Sequence, residues 1–162
     1  MQRVASHEVA ATVTALLTAR GISAVGVPPG FPERYLPDPL ADTAVWDEPA
    51  LSARSLQALQ GVLSTCALAI AETGTIVLDG SASQGRRGLT LLPDYHLCLV
   101  PAERIVATVP DAIARLDPRA PLTMISGPSA TSDIENTRVE GVHGPRTLHI
   151  VVIEPDEDTE RA

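Results

Sequence analysis

The sequence predicts an α/β fold, a single three-layer domain built on a mainly parallel sheet. Segments with helical periodicity alternate along the chain with short apolar segments that are typical of strands. The last of these, residues 147–154, is apolar on both faces, as in a strand inside a parallel sheet that helices cover. The 162 residues and a hydrophobic content of 44% suffice for one core, which we assign to residues 1–153, followed by an acidic tail at 154–162.

The first third of the chain predicts two helices and two strands around a proline-rich connection. Apolar residues recur at helical spacing after Ser6, a suitable residue to begin a helix, and Gly21 is suited to end it. Because the stretch from Gly30 to Pro49 is rich in proline, we expect only one short strand there. In chain order, the predicted elements are a helix from Ser6 to Gly21, a strand at 22–27, a short strand at 43–46 and a helix at 51–59.

The remaining residues predict mainly strands. Two apolar runs at 62–79 are interrupted by Glu72, Thr73 and Gly74, which indicates a corner, and the first run fits either a strand or a helical turn. The glycine- and serine-rich segment 80–88 predicts a loop. The predicted elements after the corner are strands at 75–78 and 95–101, a helix at 108–118, and strands at 122–126 and 147–154.

The charged residues exclude several classes of chemistry. All 12 basic residues are arginine, so a lysine Schiff base, a pyridoxal phosphate anchor and a phosphate-loop lysine are excluded. The net charge of −8 argues against nucleic acid and anionic membranes as partners, since both require a basic surface.

The N-terminal segment does not have the apolar core of a signal peptide, and no apolar run approaches the ~18 residues of a membrane span. We therefore expect a cytoplasmic protein.

Cys66 and Cys98 are the two cysteines, and each lies in an apolar neighbourhood. Two buried, unpaired side chains fit this pattern better than a disulfide. Two thiolates cannot ligate a four-cysteine iron–sulfur cluster or a zinc ribbon, and the acids and histidines do not have a recognisable metal-ligand spacing. We therefore expect this chain to bind no metal and no cofactor.

Residues 125–146, ISGPSATSDIENTRVEGVHGPR, are the strongest candidate for a binding site. They follow a predicted strand, and ligands of open α/β sheets bind beyond the carboxyl ends of strands. The N–H groups of a glycine turn and neighbouring hydroxyl groups suit an anion. A capping box, with Ser132 as N-cap and Glu135 three residues later, explains part of the segment without a ligand. The candidate anion-binding residues in it are Ser126, Gly127, Pro128, Ser129, Thr131 and Glu135.

Three side chains are candidates for acid–base catalysis. Asp133 suits a general base, although a helix dipole alone also favours an acid in the first turn. His143 lies among glycines in a loop that could present its imidazole, and an exposed histidine without a role is the alternative. Glu72 stands with Thr73, Gly74 and Thr75 at the predicted corner, where a carboxylate and two hydroxyl groups could hold a ligand and a buried turn is the alternative.

Arg86 and Arg87 are further candidates for binding an anion. They follow the glycine-containing loop, and a guanidinium group can hold a carboxylate or phosphate through two parallel N–H bonds. Solvated surface arginines are the alternative interpretation for both.

Three strings resemble, in order, the lactate utilization protein C (LUD-domain) family: AIAETGTIVLD, RRGLTLLPDYHLCLVPAERIV and ISGPSATSDIENTRVEGVHGPRTLHIVVIE. The resemblance spans residues 62–153, whereas the first 60 residues look short and proline-rich beside relatives. It implies a fold like that of ribose-phosphate isomerases, glucosamine-phosphate deaminases and CoA-transferases. The family motif falls on Glu72, Thr73, Gly74, Ser126, Gly127, Pro128, Ser129, Thr131, Asp133, Glu135, Gly141, His143 and Gly144.

The resemblance also implies a role in oxidising L-lactate to pyruvate beside two partner proteins, one or both with iron–sulfur clusters. On this hypothesis the chain is a cluster-free subunit that binds a small carboxylate or organises its iron–sulfur partners. A stand-alone enzyme acting on a phosphorylated sugar or acyl substrate is the second hypothesis. The absence of lysine disfavours it, because such enzymes often place a lysine against the phosphate, although arginine or backbone N–H groups can replace it.

Overall fold

Ten strands and four α-helices make up the part of the protein that the structure, a computed structural model, describes: residues 1–38, 44–128 and 144–156. The strands are β1 Gln2–Ala5, β2 Val25–Val27, β3 Ala44–Trp46, β4 Gly61–Thr65, β5 Leu68–Ile70, β6 Thr75–Leu78, β7 Tyr95–Pro101, β8 Ile105–Val106, β9 Thr123–Ser126 and β10 Thr147–Glu154. The helices are α1 Val9–Thr18, α2 Ala53–Gln57, α3 Arg87–Leu91 and α4 Val109–Arg115. Short 3-10 turns lie at Ser6–Glu8, Glu33–Tyr35 and Ala102–Arg104.

A six-stranded parallel sheet forms the centre of the fold. Its strand order is β1-β10-β7-β4-β2-β3, and each neighbouring pair in it is parallel. The α/β class and the mainly parallel sheet that the sequence predicts are confirmed. The bounds of β6, β7 and β10 agree with the prediction at both ends.

The sequence did not predict β1, β8 or α3. β1 precedes the predicted helix and pairs with the end of β10, from Gln2 beside Val151 to Ala5 beside Glu154. A local helical pattern contains no signal for this pairing, because the partner strand lies at the other end of the sequence. α3 begins at Arg87, inside the segment predicted as a loop.

The apolar residues at 62–79 divide between two sheets. β4 belongs to the central sheet, whereas β5 and β6 form an antiparallel hairpin in a second sheet of four strands. The first apolar run is therefore two strands and not a helical turn. β8 pairs with β5 in parallel and β9 pairs with β6 in antiparallel orientation, which gives the order β8-β5-β6-β9.

Helix α1 covers one face of the central sheet. Its buried side chains Val9, Val13 and Leu17 belong to the same apolar cluster as Leu63 of β4 and Leu97 of β7. These positions lie four residues apart on the helix, so one stripe of it faces the sheet. Full burial of each side chain contributes about 1.5–3 kcal/mol.

The second sheet and the short helices cover the opposite face. Ile76 of β6 packs with Cys98 of β7, and Leu89 of α3 packs with Val62 of β4. The outer face of the second sheet, which carries Val77, is covered in turn by Ala112 of α4. α4 begins with a capping box in which the Thr108 side chain accepts from the backbone of Asp111.

A buried polar pair lies on the face of the central sheet that meets the second sheet. The Ser64 hydroxyl and His96 Nε2 are 2.7 Å apart, and both side chains are fully buried. Nδ1 of His96 is buried without a hydrogen-bond partner in the described structure. Because a charged imidazole is costly in such surroundings, burial lowers the pKa of His96 from 6.5 to about 4.

Cys66 and Cys98 are free and buried, as the sequence predicts. A hydrogen bond with the Cys66 side chain, together with burial, raises the pKa of the Cys98 thiol. The Cys98 thiol therefore remains neutral, and both side chains pack as small groups of the core.

The beginning of the predicted acidic tail contacts the N-terminal residues. Glu154 ends β10 and its carboxylate lies 2.6 Å from Arg3. Asp156 accepts a hydrogen bond from His7 at 2.8 Å, which lowers the pKa of Asp156 and raises that of His7. Residues 157–162 lie outside the described part of the chain.

We predict that the free energy of unfolding falls by about 2 kcal/mol from pH 7 to pH 5 through His96 alone. The pKa of His96 is lower in the folded than in the unfolded state, so protonation of the unfolded chain below pH 6.5 favours unfolding until the pH reaches about 4. His96→Gln, whose amide can still pair with Ser64, should not show this part of the decrease in the free energy of unfolding. Urea unfolding at pH 7 and pH 5 measures it. His7→Gln is the control and should retain it. An equal drop in His96→Gln and the unmodified chain would contradict the assignment.

Candidate functional site

The corner at residues 72–74 and the start of the segment 125–146, both predicted to bind a ligand, meet at the edge of the second sheet. Thr75 of β6 is paired with Ser126 of β9, and their hydroxyl oxygens are 2.6 Å apart. The hydroxyl oxygen of Thr73 lies 2.6 Å from that of Thr75. Three hydroxyl groups thus form a continuous hydrogen-bonded row, which we call the hydroxyl row.

Glycines shape the turns on both sides of the hydroxyl row. Gly74 has φ +62° and Gly127 has φ +87°, the left-handed region in which other residues are strained. A Cβ atom at either position would meet nothing within 4 Å, so the backbone conformation and not packing favours glycine. Glu72 is exposed beside this corner, and its backbone N–H donates to the carbonyl of Ala107 at 3.1 Å.

A cavity of about 300 Å³ opens next to Ser126. Side chains of α3 and β9 line it together with the turns at Gly127 and Gly144. Arg87 is its one basic lining residue within the described chain, and its guanidinium group makes the cavity suitable for an anion. The lining residues are Arg87, Leu91, Thr123, Met124, Ile125, Ser126, Gly127, Gly144 and Pro145.

The predicted site is described only in part. Of its residues, Ser126, Gly127 and Pro128 are placed at the end of β9, and Glu72, Thr73 and Gly74 at the facing corner. Ser129, Thr131, Asp133, Glu135 and His143 lie outside the described residues. Their assignments to anion binding and catalysis stay predictions.

The expected position of this segment relative to the parallel sheet was wrong. The sequence suggested that it follows the carboxyl end of a strand of that sheet. β9 instead forms the edge of the second sheet, antiparallel to β6. Its residues are half-buried or exposed, which fits an edge strand with one covered face and differs from the fully buried β4.

Arg86 has a protein partner in this structure. Its Nε and Nη2 atoms donate to the two carboxylate oxygens of Asp47 at 2.7 and 3.0 Å, and Nη2 also donates to the carbonyl of Leu51. The hydrogen bond from Arg86 holds the pKa of the Asp47 carboxyl below its usual value. This pairing accounts for Arg86 without a ligand, and its role in anion binding stays a prediction.

A second candidate site lies at the carboxyl edge of the central sheet. The ends of β4, β7 and β10 meet there with the turns that follow β1 and β2, around a crevice of about 450 Å³. We call it the carboxyl-edge crevice. The polar residues that line it include Ser6, Arg34, Thr65, Ser83, Glu103 and Arg104.

Two arginines of the carboxyl-edge crevice are held by neighbouring groups. Nη1 of Arg104 donates to the carbonyl of Cys66 at 2.6 Å. Arg34 lies over the ring of Tyr35, 4.6 Å from its centroid, and donates to its hydroxyl at 3.2 Å. Glu103 and Arg104 line both the crevice and a second cavity of about 420 Å³, whose lining also includes Arg115.

Sequence reasoning missed this crevice because its residues come from separate parts of the chain. Apart from the adjacent Glu103 and Arg104 they are scattered along the sequence, and no local motif unites them. One signal was available: Arg34 and Arg104 both follow predicted strands by a few residues, and strand ends of a parallel sheet share an edge. Within residues 1–38, 44–128 and 144–156, no three histidine, cysteine or acidic side chains group as metal ligands.

The fold and the two sites define an open parallel α/β protein with groups suited to anions at its loops. A family model described as LUD domain matches residues 37–153, so the chain belongs to the LUD domain family, and the resemblance found in its motifs is confirmed. A crystal structure of a DUF162 family protein from Deinococcus radiodurans matches with a TM-score of 0.78 at 37% sequence identity. That match covers 94% of this chain and 86% of the other.

Two curated relatives each match more than two thirds of this chain. Lactate utilization protein C of Deinococcus radiodurans is 49% identical over 131 residues, which are 78% of this chain and 61% of that protein. Lactate utilization protein C of Bacillus licheniformis is 33% identical over 129 residues, 72% of this chain and 53% of that protein. The chain thus spans about half to six-tenths of the length of these relatives. Within its described residues, no helix is long and apolar enough to cross a membrane.

We predict that Asp47→Asn lowers the free energy of unfolding by about 2 kcal/mol, because the buried side chain loses charge-assisted bonds from Arg86. Arg86→Gln should cost about 1 kcal/mol, since its side chain is 44% exposed and water compensates in part. The pKa of Asp47 is lowered in the fold, so this contribution is present above pH 3.8 and is lost as the pH falls further. Urea unfolding at pH 7 and pH 3 measures both effects.

The exposed neighbour Arg87 gives the control, and Arg87→Gln should stay within about 0.5 kcal/mol of the unmodified chain. An unchanged stability of Arg86→Gln would contradict a structural role for the Asp47–Arg86 pair.

Proposed function

We propose that this chain is a cluster-free component of an L-lactate utilization system that oxidises L-lactate to pyruvate. On this proposal it binds the carboxylate substrate or organises iron–sulfur partner proteins. The observation that carries the proposal is its 49% identity, over 131 residues, to a protein described as lactate utilization protein C. Because the chain spans only part of that relative, the activity of the whole relative is not transferred with the family membership.

The reaction requires both electron transfer and substrate binding, and we assign these two roles to different proteins. Oxidation of L-lactate to pyruvate removes two electrons and two protons from one carbon and its hydroxyl group. The two cysteines of this chain are too few to ligate a four-cysteine cluster, so we assign the electrons to the partner proteins. The present chain would contribute groups that bind the carboxylate and fix the position of the substrate.

The motif residues supply the candidate groups for this role. The hydroxyl row and the turn at Gly127 offer hydroxyl and backbone N–H donors, and Arg87 offers a charge in the adjoining cavity. Glu72 is exposed beside the row and could accept a proton. Asp133 and His143 are the further candidates for acid–base catalysis from the sequence.

A stand-alone enzyme is the second candidate function. The carboxyl-edge crevice favours it, because ligands of open α/β sheets bind at that edge. Its substrate would be a phosphorylated sugar or an acyl compound. A thermal-shift panel of sugar phosphates and CoA esters tests this function, since ligand at 100 times its dissociation constant adds about 2.7 kcal/mol of stability. No shift with any of them would exclude this candidate.

We predict that L-lactate-dependent reduction of an artificial electron acceptor by the iron–sulfur partner proteins requires this chain. Asp133→Ala should lower the rate about 100-fold if Asp133 acts as the general base. Asp38→Ala removes an exposed carboxylate outside both sites and is the matched control. The assay compares the initial rate with no added chain, with the chain and with each variant.

A rate that is the same without the chain, together with no binding to the iron–sulfur proteins in a pull-down, would contradict the proposed function. Equal rates for Asp133→Ala and Asp38→Ala would contradict the catalytic assignment of Asp133 alone.

A further inference from the structure

The carboxyl-edge crevice lies where the path of the chain through the central sheet reverses. After β2 the chain continues outward to β3, whereas after β4 it moves in the opposite direction to β7. The loops that leave the neighbouring strands β2 and β4 therefore diverge and open a gap between them. Such a switch point is the usual ligand position in open α/β sheets. The turn Glu33–Tyr35 lies on one side of the gap, and Thr65 lies on the other.

The guanidinium groups of the crevice come from two different loops. Arg34 belongs to the turn after β2, and Arg104 to the turn after β7. The contacts of Arg34 with Tyr35 and of Arg104 with the Cys66 carbonyl each occupy one N–H group. A guanidinium group has five N–H donors, so each arginine keeps donors for a ligand while one contact orients it.

The acidic residues at the same edge are largely neutralised. Glu154 lines the crevice, but its carboxylate is paired with Arg3 at 2.6 Å. Glu103 is exposed and lowers the local positive charge without cancelling both arginines. With Glu154 paired to Arg3, the guanidinium groups of Arg34 and Arg104 face one further acidic lining residue, Glu103. These two guanidinium groups favour a small anion as the occupant of the crevice.

A hydroxyl donor completes the site. The Thr65 hydroxyl donates to the hydroxyl oxygen of Ser83 at 2.8 Å, and the Thr65 backbone N–H donates to the Ser83 carbonyl at 3.1 Å. These bonds fix Ser83 against the end of β4. Because its oxygen accepts from Thr65, its own hydrogen remains able to donate to a ligand.

The lining favours a carboxylate over a phosphate, and therefore over the phosphorylated sugars named for the second candidate function. Phosphate sites of α/β proteins use several backbone N–H groups at a glycine turn or the start of a helix. The crevice is lined instead by Pro32, Pro101 and Pro155, which have no N–H group. A carboxylate needs donors for only two oxygens, and one guanidinium fork supplies them.

We propose that the carboxyl-edge crevice binds a small 2-hydroxy or 2-oxo carboxylate, with Arg34 and Arg104 holding the carboxylate and Ser83 donating to the 2-oxygen. The choice of this substrate class rests on the proposed role in lactate utilization, whereas the site itself rests on the geometry of the crevice.

The test is isothermal titration calorimetry of the full chain, without partner proteins, against L-lactate, pyruvate, inorganic phosphate and fructose 6-phosphate. We expect L-lactate or pyruvate to bind and both phosphates to bind at least tenfold more weakly. Arg34→Gln and Arg104→Gln should each weaken carboxylate binding at least tenfold. Arg104→Lys, which keeps the charge without the planar fork, should bind with intermediate affinity.

Arg20→Gln is the matched control. Arg20 is exposed at the opposite edge of the central sheet, 4.9 Å from the ring centroid of Tyr95 at the start of β7. Its removal changes the net charge by the same amount and should leave the affinity unchanged. Thermal unfolding of each variant separates loss of binding from loss of folding, and Arg104→Lys keeps the test decisive if Arg104→Gln does not fold.

No binding of either carboxylate, tighter binding of phosphate, or equal affinities for Arg20→Gln and the two crevice variants would overturn the proposal. The two proposals fail separately. If carboxylate binding depends on Arg34 and Arg104 but acceptor reduction does not need the chain, the site stands and the role in lactate oxidation falls. If acceptor reduction needs the chain but the crevice variants bind lactate normally, the role stands and the site falls.

Discussion

Burial of both faces of the two central strands is the constraint on which the rest of the structure depends. All residues of β4 are buried, and so are the first six residues of β7. Parallel strands of this kind require a cover on each side. α1 supplies one cover, and the second sheet with α2 and α3 supplies the other. The second sheet then has an outer apolar face of its own, which α4 covers. Each layer is needed because the layer inside it is apolar on both sides.

The same constraint determines where polar chemistry can lie. The interior is filled with aliphatic side chains, so ligand-binding groups gather at the ends and edges of strands. The hydroxyl row runs from Thr73 through Thr75 of β6 to Ser126 of the edge strand β9 and contains two residues of the family motif, Thr73 and Ser126. The carboxyl-edge crevice occupies the end of the central sheet and carries the guanidinium groups of Arg34 and Arg104. Family membership is compatible with function at either place, and the charged groups favour the crevice for an anion.

The sequence predicted local features well and long-range pairing poorly. The strand at Tyr95–Pro101 and the motif around Ser126 could be recognised because neighbouring residues carry the signal. β1 could not, since its partner β10 is about 150 positions away and local periodicity contains nothing about it. The ion pair of Asp47 with Arg86 was hidden for the same reason. The crevice was hidden because its residues are brought together only by the order of the strands.

The hydrogen bond between Ser64 and His96 has a consequence for how the central strands align. Side chains alternate between the two faces of a strand, so a shift of one residue between β4 and β7 would move every side chain to the opposite face. Such a shift would place the imidazole among the valines and leucines under α1 and separate it from the serine. Aliphatic residues alone tolerate many alignments, because one methyl group replaces another. A single polar pair among aliphatic side chains therefore favours one alignment of the two strands and disfavours the alignments shifted by one residue.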